Sequence, residues 1–361
     1  MRFFVKVYFY MKKLYIYICL LLPIVTYSQL GGSNTFEFVT TSFSAREHAL
    51  GGAVLSLDDA DVSLAIKNPS LLDSSYSGAF STSWGGFHIL QTDIGMGTFA
   101  YAHSTSKINY SAGVQFFSYG KFSGYSEDGT PSETFFAHDY QLITAASYEI
   151  YKKIYAGISL KPVLSFYESY SSFGILHDFA LSYKCKENDF TTSFIVRNAG
   201  WHIKPYTSLH KEPIPFSIDF GLTKKLSHAP FRFSLLYQGL QKFDLSYTSV
   251  FDSKHTLINQ PESTSRDAYM RFFKNALHHV SIGAELLLFK SLHAQFGYDF
   301  RKAYEMSYGS SNKAVGVSFG FHITLSYFSV SYAWAKQHVA GATNFFTFST
   351  NIDNLYTQFI K

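Results

Sequence analysis

The sequence predicts an all-β protein: a transmembrane antiparallel β-barrel of about fourteen strands, with a short N-terminal plug element in the lumen. Three observations predict it. Apolar and polar residues alternate along short segments from Ser77 to Asn351, as strands with two unlike faces require. The gaps between those segments are alternately tight and long, like turns and loops at opposite ends of a barrel. Aromatic residues make up 19% of the chain, with 27 Tyr and 37 Phe, more than a soluble core needs. Tyr suits a membrane interface, where its ring meets apolar surroundings and its hydroxyl meets water.

Residues 1–28 read as a cleaved signal peptide. Met11, Lys12 and Lys13 open a basic region, Leu14 to Val25 is apolar, and Thr26-Tyr27-Ser28 precedes the expected cleavage before Gln29. Met11 is a second candidate start. Arg2, Lys6, Lys12 and Lys13 leave with this segment and no acidic residue does, so 26 basic residues face 26 acidic ones. Nucleic-acid binding thereby loses its compositional support. Cys185 is the single cysteine left, which excludes an internal disulfide. No later run of 18 apolar residues offers a spanning helix. An exported chain of this kind is expected in the cell outer membrane, in contact with its lipid.

Residues 29–76 do not alternate and are expected to form the plug. Small residues around Arg46 allow a short helix, Gly51-Gly52 would end it, and Asn68-Pro69 marks a turn. The barrel is expected over 77–351, with strands at 77–84, 93–103, 107–118, 138–150, 153–167, 173–185, 189–199, 215–226, 230–245, 276–289, 292–303, 313–325, 327–336 and 344–351. The long connectors are 85–92, 119–137, 168–172, 200–214, 246–275, 304–312 and 337–343. An even strand number puts both termini in the periplasm and the long loops outside the cell. Residues 352–361 are expected to be a short periplasmic tail.

The strand faces agree with a barrel. Between Lys313 and Ser326, Val315, Val317, Phe319, Phe321, Ile323 and Leu325 share one face, while Gly316, Ser318, Gly320, His322 and Thr324 share the other. His293, Gln295, Gly297, Asp299 and Arg301 alternate with Ala294, Phe296, Tyr298 and Phe300, and Ser217, Asp219 and Gly221 with Phe216, Ile218, Phe220 and Leu222. A charge on the lipid face would cost about 2–4 kcal/mol at mid-bilayer, so charges on one side only mark the lumen. A secreted β-sandwich also alternates, but it would carry charges on its outer faces. Here the second face is mostly Ser, Gly and Thr.

No catalytic, cofactor-binding or metal site is expected. His278 and His279, read as strand neighbours, would face opposite sides, and no HExxH or His-x-His occurs. A serine hydrolase would need a nucleophile and a base on adjacent strands, and no Gly-x-Ser-x-Gly elbow is present. The charge constellation is Arg46 with Glu47, followed by Asp58, Asp59 and Asp61. A buried Arg46 must be paired, so these residues either lock the plug or hold a cation or gate. Tyr119, Phe122, Tyr125, Phe135 and Phe136 in one long loop, and Phe251, Tyr269, Phe272 and Phe273 in another, form candidate partner-binding surfaces. The same aromatics suit strand extension beyond the bilayer equally well.

The block Phe36-Glu37-Phe38, Ser42-Phe43-Ser44-Ala45-Arg46, Ala49-Leu50-Gly51-Gly52-Ala53, Asp58-Asp59-Ala60-Asp61 and Asn68-Pro69-Ser70-Leu71-Leu72 resembles the opening of the PorQ family of type IX secretion proteins in Bacteroidota. The barrel resembles the long-chain fatty-acid transporter (FadL) type, which that family shares with PorV. The resemblance implies a non-enzymatic fourteen-stranded barrel that tethers a PorZ-like surface protein, with PorU and PorV in the same attachment complex, and so helps anchor secreted cargo. It assigns Arg46, Gly51, Gly52, Asp58, Asp59, Asn68 and Pro69 to the plug. The alternative it allows is a FadL-like transporter of hydrophobic small molecules, which predicts an apolar pocket beside the plug and a lateral opening at a strand kink. The Ser, Gly, Thr, Gln, His, Asp and Arg of the lumen face favour a polar or filled lumen, and hence the tether.

Overall fold

Fourteen antiparallel strands close into a barrel in the computed structural model, which describes residues 34–89, 92–126, 128–207, 211–243, 265–289, 291–306, 314–338 and 341–359. Residues 1–28, expected to be the signal peptide, lie outside these. The strands are β1 (Ala79–Ile89), β2 (Thr92–Ser104), β3 (Asn109–Tyr125), β4 (Pro131–Tyr151), β5 (Ile154–Tyr167), β6 (Tyr170–Cys185), β7 (Phe190–Lys204), β8 (Ser217–Lys225), β9 (Phe231–Tyr237), β10 (Val280–Phe289), β11 (Leu292–Asp299), β12 (Val317–Thr324), β13 (Phe328–His338) and β14 (Gly341–Asn351). Each pairs with its sequence neighbours, and β1 with β14 closes the ring. Closure leaves no sheet edge around the ring, which excludes the sandwich.

Period-two patterning fixes which side faces in. On β12, Val317, Phe319, Phe321 and Ile323 are exposed to the outside, while Ser318 and His322 are buried inside. Asp219, Gln295 and Asp299 point inward as expected, and Phe216, Phe220 and Phe296 point out. The inward set also contains apolar residues, including Met96, Ile143, Val163, Leu176, Ile195 and Phe345, so the lumen is filled rather than polar throughout.

The filling is residues 34–78. α1 (Ala45–Ala49) packs on β11 to β14, α2 (Val62–Ala65) on β1 and β2, and the 3-10 turn Pro69–Leu71 on β4 to β6. One segment touching opposite walls must lie inside the ring. Phe36, Phe38, Phe43 and Ala49 meet Met96, Phe117, Val163 and Phe345 in one apolar cluster; Val62, Ile66, Leu71 and Leu72 meet Ala100, Ile143 and Ala145 in another. The hydrophobic core of this molecule is therefore the plug–wall interface.

Departures from the expected boundaries have local causes. Val315 does not share the outer face: Gly316, at φ +92°, breaks the alternation before β12 begins, and Val315 is buried. Arg301 is not on a strand, because Asp299 accepts hydrogen bonds from the Arg301 and Lys302 amides and caps a helix, α4 (Phe300–Glu305). Residues 119–137 are mostly strand, a β3–β4 ribbon extending past the last β2 and β5 partners, Ser118 and Ala137. The second long loop contains α3 (Ser265–Leu277), so His278-His279 sit in the turn before β10 and not in a strand. The expected tail begins with a helix, α5 (Ile352–Phe359).

Candidate functional site

Within the plug, one device recurs. Asp61, Asn68 and Asp73 each accept hydrogen bonds from the backbone N–H and the hydroxyl of the serine two residues on, Ser63, Ser70 and Ser75, and so start a helical turn. The repeated Asx-x-Ser spacing was legible in the sequence and was missed there. Gly51 and Gly52, at φ +62° and +86°, end α1 as expected.

These turns present charges to the wall at the short-turn end. Arg46 is 1% exposed; its guanidinium binds Asp59 at 2.6 Å and 3.0 Å, Asp61 at 3.3 Å and Glu285 of β10 at 3.2 Å. Arg232 of β9 completes the group, bonding Asp59 at 3.0 Å and also Glu285, which accepts in addition from Gln295 at 2.7 Å. Asp58 does not join Arg46. It accepts from Lys184 of β6 at 3.1 Å and from Tyr76 at 3.2 Å, while Lys184 also holds Asp73 at 3.1 Å and the Leu71 carbonyl. Glu285, Arg232 and Lys184 were not singled out in the sequence, although a charge set among inward strand positions is a usable signal.

Burial alone would raise the Asp59 carboxyl, but Arg46 and Arg232 outweigh it and hold the group well below the usual carboxylate range. Asp73 behaves alike: burial opposes, Lys184 and the Ser75 bonds prevail, and it titrates at about 2. Folded values below the unfolded one, roughly 3.9, mean that both groups contribute their full stabilisation above that pH and lose it as pH falls through the folded values. The unfolding temperature is expected to drop as the pH is lowered from roughly 4 towards 2, and Asp73→Asn should flatten part of that drop. A pH-independent melting profile over this window would contradict the pairing.

Nearer the long-loop end, His48 is buried against the Phe345 ring, with centroids 3.9 Å apart. Its Nε2 faces the Ser42 carbonyl at 3.0 Å and its Nδ1 receives the Gln337 amide at 2.7 Å, the pattern of a neutral ring with Nε2–H donating; burial lowers its pKa accordingly. Lys67 pairs with Glu47 at 3.6 Å, and Lys161 with Asp178 at 2.6 Å. Glu47, Asp58, Asp59 and Asp61 are thus each paired with a cation of the plug or the wall.

The loop aromatics divide. Tyr119 is not a surface anchor: its hydroxyl turns inward and donates to Asp139 at 2.7 Å. Phe122 and Phe135 stack across the ribbon at 5.4 Å, and Tyr125 and Phe136 are exposed. Tyr269, Phe272 and Phe273 are exposed on α3, with Phe272 stacked on Phe243. Phe251 lies outside the described residues.

One feature of the wall answers to a lateral opening. β7 bulges at Asn198, where φ is +55° and the β6 register shifts, and its pairing with β8 stops at Arg197–Ser217. Beyond that point, Gly200, Trp201, Pro213, Ile214 and Phe216 border a recess of about 390 Å³. Its inner end is polar: Asn198 accepts from Lys161 at 2.6 Å, and Lys161 holds Asp178.

No protein-family profile and no curated protein matches the chain. Solved structures do. The Ralstonia pickettii toluene transporter TbuX is 11% identical, covers 87% of this chain and 99% of its own, and superposes with a TM-score of 0.51. A TodX deltaS2S3 mutant, a monoaromatic hydrocarbon channel, is 12% identical over 86% and 99% of the two chains, with a TM-score of 0.51. A Pseudomonas aeruginosa FadL homologue is 8% identical over 86% and 99%, with a TM-score of 0.46. At such identity the likeness is one of fold. What the chain shares with TbuX and the TodX mutant is the fold, which in this chain is a closed barrel of fourteen antiparallel strands.

Proposed function

We propose that this protein is a plugged outer-membrane barrel that serves as a static platform, tethering a PorZ-like surface protein beside PorU and PorV in the type IX attachment complex. The observation that carries the platform reading is the lock between plug and wall: Arg46, Arg232, Asp59, Asp61 and Glu285 bind one another inside the lumen. Freeing the lumen would break buried ion pairs, at about 3–5 kcal/mol for each charge left alone. The tether itself rests on the resemblance of residues 36–72, which supply Arg46, Asp59 and Asp61 to this lock. Its binding surface would be the exposed aromatics Phe122, Tyr125 and Phe136 of the ribbon, with Tyr269, Phe272 and Phe273. Affinity purification from solubilised outer membranes is expected to recover a surface protein, and a deletion strain to shed secreted cargo into the medium. Purification of the barrel alone, together with normal cargo retention, would sink the tether.

A second reading, passage of hydrophobic small molecules, is the one towards which the solved channels lean. The bulged β7 and its recess favour it. Against it stands the polar part of that recess, where an apolar solute would meet Asn198, His202, Lys211 and Glu212. Uptake of a monoaromatic hydrocarbon that depends on this barrel, and that is lost when Ile214→Trp fills the recess, would decide for this reading.

A further inference from the structure

The C-terminal helix α5 follows β14 without a linker. Its first turn is tied to the barrel rim: the Ile352 amide donates to the Gly78 carbonyl at 2.7 Å, Asn351 donates to the Ser77 carbonyl at 2.7 Å, and the Asn351 side chain accepts from the Asn354 amide at 3.1 Å as an N-cap. Those bonds fix where the helix leaves the barrel and how it is rotated.

The rotation separates its residues by chemistry. At about 100° per residue, Ile352, Leu355 and Tyr356 fall on one face, and Asp353, Asn354 and Thr357 on the other. Asn354 borders a cavity beneath the plug that it shares with Arg46, Asp59, Tyr327 and Asn351. The opposite, apolar face therefore turns away from that cavity. Ile352 and Tyr356 are exposed there, at 42% and 57%, with no protein element to cover them among the described residues.

The surroundings on that side are the lipid belt. Ile352 continues the outward row of β14, Phe346 and Phe348, and Leu325, Tyr327 and Phe328 are exposed on the adjoining β12–β13 turn. An even strand number places this rim at the periplasmic side, where tyrosines suit the interface.

We infer that α5 is an interfacial membrane helix, lying with Ile352, Leu355 and Tyr356 in the inner leaflet of the outer membrane and with Asn354 and Thr357 towards the periplasm. Its partner is the phospholipid surface. The exposed apolar residues that flank Ile352, namely Phe346, Phe348, Leu325 and Phe328, select lipid over a protein partner.

The test uses the full barrel in phosphatidylethanolamine–phosphatidylglycerol vesicles, with Cys185→Ser as background and a single fluorescent label on Tyr356→Cys or on Thr357→Cys. Folding of each variant is checked by heat-modifiable migration. The label at 356 is expected to be quenched at least threefold more by nitroxide lipids than the label at 357, and that at 357 at least threefold more by aqueous iodide. Equal access of both labels to iodide would overturn the inference. So would a label at 356 shielded from both quenchers, since protein would then cover the face.

Discussion

Arg46→Ala is expected to destabilise the folded barrel by about 3–5 kcal/mol, because it removes one partner from a buried ionic group and leaves the others in place. Arg46 holds Asp59, Asp61 and Glu285 within 3.3 Å, and Arg232 reaches only Asp59 and Glu285. Asp61 would be left without a cation. Arg46→Lys should restore little, since a point-like ammonium cannot reproduce the two-pronged grip on Asp59. Arg46→Ala combined with Glu285→Gln should recover part of the loss by removing a carboxylate from the unbalanced set. Loss of heat-modifiable migration at a lower temperature is the readout. An Arg46→Ala barrel that melts like the parent would mean that the lock is solvated.

Gly297→Val should unseat the plug. A Cβ at Gly297 would lie 2.2 Å from the Gly51 nitrogen and 2.3 Å from the Leu50 carbonyl carbon, backbone atoms on a turn that Gly51 and Gly52 have already committed to positive φ. Neither side can yield by a rotamer change, so the cost is at least that of ordinary overpacking, about 1–3 kcal/mol. Gly157→Val tests the opposite wall, where the Cβ would meet the Ser70 nitrogen at 2.3 Å. Gly95→Ala is the control, with nothing within 4 Å. Trypsin cleavage after Arg46 or Lys67 in the folded barrel should rise for the two valine variants and stay unchanged for the control. Equal protection in all three would mean that the plug seat does not depend on glycine.

These wall glycines show where sequence reading stopped. The small and polar inward face of β11 was legible from alternation, and it suggested a polar or filled lumen without showing what fills it. Gly157 and Gly297 are small because the plug backbone lies on them. That is a fact about a segment more than 80 residues away, and period-two patterning does not carry it. The charges tell the same story: Arg46 and Asp59 were expected to pair, and they do, but their wall partners Arg232 and Glu285 come from β9 and β10. Asp58 was grouped with its neighbours in sequence and instead turned to Lys184.

By itself, the sequence determined the strand number, the faces of the clearly alternating strands and the C-terminal end of the plug helix, because these follow from local rules: side chains alternate every two residues, and glycine accepts positive φ. Only the tertiary structure decided that the core lies between plug and wall, that the lock joins the plug to the distant strands β9 and β10, and that Ile352–Phe359 form a helix at the rim. Each of these depends on which distant backbones approach one another once the ring has closed. A fixed circumference lets some inward residues stay small and forces others to carry charge.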